Sequence, residues 1–328
     1  MSLSRWLGMV LAVVGLTRPA LGQVKPDSVS LRFAWPVGMT ASVEGEWTRM
    51  QSTPVRSDSF TVRSRWRMMV SPHPKGRLVQ YDQFTITSLP PAASNRSAAG
   101  LDPHQLLARL GSIQPSYVVT AEGDFVSVEG VEATKRALDS ALAPLMREIA
   151  GAPPAIKALM ENATSTQVLT AAAAQDWNAV AGTWVGADWE VGSVYETSTE
   201  EPVPMFPGLK MPMQYQFRAA ERVPCTERET ARRCVRLEMQ SEPDSVAMRK
   251  FINDLMTKVA PNQANALAVF RSMRVANELT VIADPRDLRP YYFELVKAVE
   301  AESAGGPNEP AGRTRQIDIR TARYTYIR

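Results

Sequence analysis

The chain has 328 residues, 45% of them hydrophobic and 22% charged, with a formal net charge of +3. That balance supports a folded core and excludes a disordered or collagen-like chain. A charge so near neutral gives no overall electrostatic reason to bind nucleic acid.

The first 22 residues read as an export signal. Arg5 supplies the positive start, Trp6 to Leu16 is an uncharged apolar run, and Ala20-Leu21-Gly22 places small residues at the cleavage positions. The expected cut lies before Gln23, which makes the mature protein periplasmic or extracellular. Retention of the leader as an anchor is the competing reading. No later run reaches the roughly 18 apolar residues of a membrane helix, so the mature chain is expected to carry no integral membrane span. Removing Arg5 and Arg18 with the leader brings the net charge still closer to zero. A strong excess of arginine over lysine and abundant alanine suggest a GC-rich bacterial genome.

In chain order, Val29 to Trp35 reads as a strand broken by Pro36-Val37-Gly38, and a second strand follows at about 40–49. Phe60, Val62, Trp66, Met68 and Val70 then alternate with Thr61, Arg63, Arg65 and Arg67, the period of a strand buried on one face. The turn Ser71 to Gly76 leads into a strand at 77–88, whose apolar parity switches between Tyr81 and Phe84 and so implies a bulge. Residues 89–101 read as loop, and Asp102-Pro103 starts a short helix to about 111. Val118 and Val126 belong to a hairpin turned by Ala121-Glu122-Gly123-Asp124.

Leu138, Ala141, Leu142, Leu145, Met146 and Ile149 recur at helical spacing, and Pro153-Pro154 interrupts before a second helical stretch. Residues 131–182 therefore read as an inserted helical hairpin. Strands are expected at about 188–198, 212–222 and 233–241, a helix from Asp244 to Val259, and strands at about 272–283, 291–300 and 314–327. Long strands, a short helix and a hairpin occur in that order in both 40–128 and 188–300, which raises the question of an internal duplication.

Cys225 and Cys234 flank a polar loop between two strands of an exported chain, and a disulfide stapling the hairpin is expected. With only His73 and His104 available, a histidine-based zinc site and a Ser–His–Asp triad have almost no material. Nucleophile-elbow, Walker A and EF-hand patterns are absent from the sequence, so no metal, cofactor or catalytic residue is expected. A glycosidase-type carboxylate pair stays open, because sequence spacing does not reveal one. Arg63, Arg65 and Arg67 form a cationic stripe whose simplest role is cross-strand pairing with Glu44 and Glu46. Anion binding is the alternative. Trp35, Trp47 and Trp66, expected on neighbouring strands, are candidates to line a hydrophobic ligand cavity, against the alternative of a packed core.

The stretch Val281-Ile282-Ala283-Asp284-Pro285-Arg286-Asp287-Leu288-Arg289-Pro290-Tyr291 is strand, Asp-Pro turn, strand. It resembles a unit of exported bacterial proteins built on a curved antiparallel sheet, including LolA-like lipoprotein carriers. The resemblance implies an open half-barrel with helices over one face and carries over no functional residue. The fold expected is α+β: one β-rich domain over 23–328, a large antiparallel sheet or open half-barrel with the 131–182 insertion packed on one face. The function expected is a non-catalytic exported protein that binds a hydrophobic or amphiphilic ligand, with lipid or another envelope component as partner. A structural or interaction module with a packed core, and an extracytoplasmic hydrolase, are the alternatives.

Overall fold

Alternation of apolar and polar residues over long runs leaves each strand with one face that must be covered, and antiparallel pairing lines those faces up. The computed structural model describes residues 27–89, 109–110, 113–148, 151, 154–203, 210–227, 231, 233–259, 270–303 and 311–327. The expected leader lies outside them, as does nearly all of the expected loop and helix at 89–111; of that helix only 109–110 is seen, as helical backbone. The strands are β1 (Ser28–Ser30), β2 (Thr40–Ser52), β3 (Ser57–His73), β4 (Gly76–Ser88), β5 (Ser116–Val119), β6 (Phe125–Glu129), β7 (Asp188–Glu190), β8 (Val194–Pro202), β9 (Lys210–Pro224), β10 (Arg233–Pro243), β11 (Phe270–Ala283), β12 (Pro290–Ser303) and β13 (Gly312–Ile327). The helices are α1 (Val131–Glu148), α2 (Pro154–Ala163), α3 (Thr166–Val180) and α4 (Ser245–Val259).

Eleven strands form one open antiparallel sheet in the order β6-β5-β4-β3-β2-β13-β12-β11-β10-β9-β8, while β1 and β7 pair apart from it. Two meanders, β2 to β6 and β8 to β12, are joined through β13, which pairs with β12 on one side and β2 on the other. The α+β expectation holds. Among the described residues no helix is long and apolar enough to cross a membrane.

Four expectations are corrected. The strand expected over Val29 to Trp35 is only three residues long. Beyond Ser30 the chain runs as a strap held by Leu31 N–H to the Ala187 carbonyl, Arg32 N–H to Pro285 and Ala34 N–H to Asp287. Trp35 therefore lies in the strap and not on a strand neighbouring Trp47 and Trp66. The helical hairpin at 131–182 is three helices, because Ser165 leaves the helical conformation and caps α3 by accepting from Val168 N–H. The single strand at 188–198 is two, β7 and β8, since Gly192 at φ +89° breaks it in a region few other residues adopt.

The bulge expected between Tyr81 and Phe84 is present: the β3–β4 register slips between Arg65 and Arg67, and Gln83 takes φ +53°. Asp244 accepts from Val246 and Ala247 N–H and caps α4 where the sequence placed its start. The Asp-Pro turn at 284–289 is held by its own side chains. The buried Asp284 carboxylate accepts from Arg286 N–H and guanidinium, and Asp287 accepts from Arg289.

The core is one buried cluster drawn from both meanders, the strap and α3, including Leu31, Trp35, Val43, Val70, Val79, Trp177, Trp184, Leu237, Leu279 and Val281. Trp177 sits edge-on to Trp35 at 5.2 Å and to Phe33 at 5.4 Å, and its Nε1–H donates to the Gly123 carbonyl at 2.8 Å. That bond anchors α3 on the β5–β6 hairpin. Gly45 lets the Trp66 ring lie flat on β2, where a Cβ would overlap it.

Cys225 and Cys234 are bonded, with Cα atoms 4.9 Å apart, and both are buried at the end of the β9–β10 hairpin against Tyr291. Labelling the denatured, unreduced protein is expected to find no free thiol, and replacing both cysteines by serine should lower stability by about 2–3 kcal/mol. Gly45→Val is expected to cost about 1–3 kcal/mol through overpacking against Trp66. Urea unfolding measures it, and an unchanged midpoint would show that the ring moves aside freely.

Candidate functional site

Register assigns every side chain of the sheet to a face. Val43 and Ala41 on β2, Met68 on β3, Ala322 and Tyr324 on β13, Leu279 and Val281 on β11 and Leu237 on β10 are buried, so their face is the inner one. On the outer face the arginine stripe pairs across strands as the simpler reading expects. Arg63 meets Glu46 at 2.7 Å, Arg65 meets Glu44 at 2.6 Å and Arg67 meets Asp82 at 2.5 Å. Such exposed pairs contribute little to stability and describe a solvated surface.

The inner face is graded along the strands. One transverse row, in register, reads Ala219, Leu237, Val281, Phe293, Ala322 and Gly45. The next reads Phe217, Met239, Leu279, Leu295, Arg320 and Trp47. The third is polar almost throughout: Thr197, Tyr215, Ser241, Asn277, Lys297, Asp318 and Arg49. The apolar rows merge with the packed core, whereas the polar row is a belt on the same face.

Most of the belt is internally satisfied. Asp318 accepts two hydrogen bonds from Arg49, at 2.7 and 3.2 Å, one from Trp47 Nε1 at 3.1 Å and one from Gln316 at 2.7 Å. Burial would raise this carboxyl, but the bonds from Arg49, Gln316 and Trp47 outweigh it and hold it below the usual range. Asn277 donates to Ser241 at 3.2 Å, and Tyr215 donates to Glu201.

Lys297 and Arg320 are different. Both reach solvent, and among the described residues neither makes a hydrogen bond or an ion pair. Loss of hydration and then the nearby Arg320 charge push Lys297 below its ordinary range, against the opposing pull of Asp176 and Asp318. Asp176, on α3, feels both cations, yet burial raises it above the usual carboxylate range. Asp176 is also open to water. Asp176 thus places α3 beside the two cations of the inner face. Tyr81, Tyr117 and Tyr324 stand near Asp176, and burial raises all three phenols.

Of the three tryptophans expected to line a cavity, Trp47 and Trp66 share the inner face. Trp47 packs edge-on to Phe60 at 5.1 Å, and Trp66 stacks on Phe84 at 6.3 Å. Trp35 is fully buried in the aromatic cluster of the strap, away from the belt. Sequence reasoning missed Lys297, Arg320, Asp318, Arg49 and Asp176. One signal was available. In Phe293-x-Leu295-x-Lys297-x-Val299 a cation takes an apolar position of the alternation.

Compared with known proteins, the chain matches no protein-family model and no curated sequence.

A cation that folding strips of water and sets beside another cation costs stability. Lys297→Met is therefore expected to raise the melting temperature at neutral pH. The folded protein binds the Lys297 proton more weakly than the unfolded chain, so wild-type stability recovers as pH rises from the depressed folded value toward the unfolded value near 10.5. The gain from Lys297→Met should shrink over that window. Melting curves between neutral pH and pH ~10 measure it, and a variant less stable than wild type at neutral pH would refute the account.

Proposed function

We propose that this protein is an exported, non-catalytic binder of an amphiphilic molecule, held on the inner face of its open sheet. The observation that carries the reading is the division of that face: on β11, β12, β13 and β2 apolar rows give way to a polar belt within two residues, with Val275 and Val299 beyond it. An amphiphile has the same division. Asp176 on α3 lies beside the two cations of that face. Binding sites of this kind combine an apolar lining with a few placed polar groups. The leader-like residues 1–22 and the disulfide fit an oxidising compartment outside the cytoplasm. Helices against one face of an open antiparallel sheet are also what the resemblance to LolA-like carriers implies.

On this reading Phe293, Leu295, Trp47 and Trp66 contact the apolar part, and the belt contacts the polar part. Native mass spectrometry of protein purified from an export-competent bacterial host, followed by organic extraction, tests it. A bound, extractable amphiphile is expected. Leu295→Arg should reduce its occupancy about tenfold or more, because the charge would have to be buried against the chain. Far-ultraviolet circular dichroism of that variant should be unchanged. A clean unliganded mass that persists when hexadecanoate and hexadecanol are offered would overturn the reading in favour of an interaction module.

A further inference from the structure

Lys297 and Arg320 are exposed on the inner face, and among the described residues neither has a hydrogen-bond or ion-pair partner. On β12 and β13, Lys297 is directly opposite Asp318 and Arg320 is directly opposite Leu295. The two cations are thus diagonal neighbours on one face, with Cα atoms about 7–8 Å apart by strand geometry. Two long side chains at that spacing converge readily on a single group between them. Asp318, the acidic residue opposite Lys297, is already engaged by Arg49, Trp47 and Gln316. Charged groups near the pair are then Asp318 with Arg49, which answer each other, and Asp176 on α3. Asp176 is a single carboxylate against two cations and bonds to neither of them.

Most arginines of the outer face, at 63, 65, 67, 236, 274, 313 and 315, pair with a carboxylate, while Arg323 lies over the Tyr292 ring. Lys297 and Arg320 set two unpaired cations side by side on the inner face, at the border of the apolar rows.

We infer that the polar end of the bound amphiphile is an anion, a carboxylate or a phosphate, held jointly by Lys297 and Arg320 with its chain lying over Leu295 and Phe293. This rests on the binding reading above and specifies its headgroup. An anion between the two cations removes their mutual repulsion and supplies the charge-assisted hydrogen bonds that both lack. A neutral headgroup would leave both cations unanswered, and a cationic one would add repulsion.

The test uses the full mature protein and four probes of equal chain length, each below its micellar concentration. They are hexadecanoate, hexadecyl phosphate, hexadecanol and hexadecyltrimethylammonium, with affinities read from tryptophan fluorescence and native mass spectrometry. At least one anion is expected to bind about tenfold or more tighter than the alcohol, and the ammonium weakest. The tighter of the two anions identifies the headgroup as carboxylate or phosphate. Lys297→Met and Arg320→Met should each weaken anion binding about tenfold or more and hexadecanol binding much less, and Lys297→Arg should retain the preference. Retained hexadecanol binding shows that a variant is folded. Arg274→Met, on the outer face, should change nothing. Equal affinities for anion and alcohol, or variants that weaken all probes alike, overturn the headgroup inference and leave the binding reading standing. Failure of every probe to bind overturns both.

Discussion

An antiparallel ladder gives each side chain one of two faces, and a single residue of slip would exchange them all. In this protein that constraint separates two electrostatic regimes only one sheet apart. Even positions of β12 carry Glu294 and Glu300, while odd positions carry Phe293, Leu295 and Lys297. The outer face settles its charges by pairing across strands, with water screening the remainder. On the inner face burial lowers Lys297, while hydrogen bonds overcome burial and hold Asp318 below its usual range. The belt's chemistry follows from its register before any ligand is considered.

The strap adds a second element to that design. Between Ser30 and Trp35 the chain gives up sheet pairing and takes backbone bonds from Ala187, Pro285 and Asp287 instead. Phe33 and Trp35 are thereby pressed onto Trp177, which is tied to Gly123 of the β5–β6 hairpin. A chain that lends its own aromatic residues to one end of the inner face fills that end. Further along the strands the polar third row crosses the same face, and Val275 and Val299 lie beyond it.

Much of the fold was legible because period two and turn chemistry are local. The bulge at Gln83, the cap at Asp244, the hairpin around Gly123 and the Asp-Pro turn were each readable within about a dozen residues. Errors came where a tertiary partner decides. Val29 to Trp35 has strand-like composition, but its hydrogen-bond partners are loops distant in sequence. The break at Ser165 is a cap that alanine-rich surroundings disguised. The candidate site was mostly illegible for the same reason. Trp47 and Arg49 meet Asp318 from 271 and 269 positions away, and spacing along the chain carries no trace of that. Trp35 drew attention for its type, and its burial in the core could not be read from its neighbours in sequence.

The placement of β13 has a further consequence, for assembly. Each meander grows by adding a strand to its predecessor, which keeps loop closure short. β13 is the exception: it has to enter between β12 and the distant β2, and until it does the two meanders share no ladder. Pairings of such high contact order form slowly. The belt is split across this seam, with Asn277 and Lys297 on one side, Arg49 on the other and Asp318 in the closing strand itself. In chain order both meanders precede β13, so the belt is completed last. An intact belt thus exists only once the whole sheet has zipped shut.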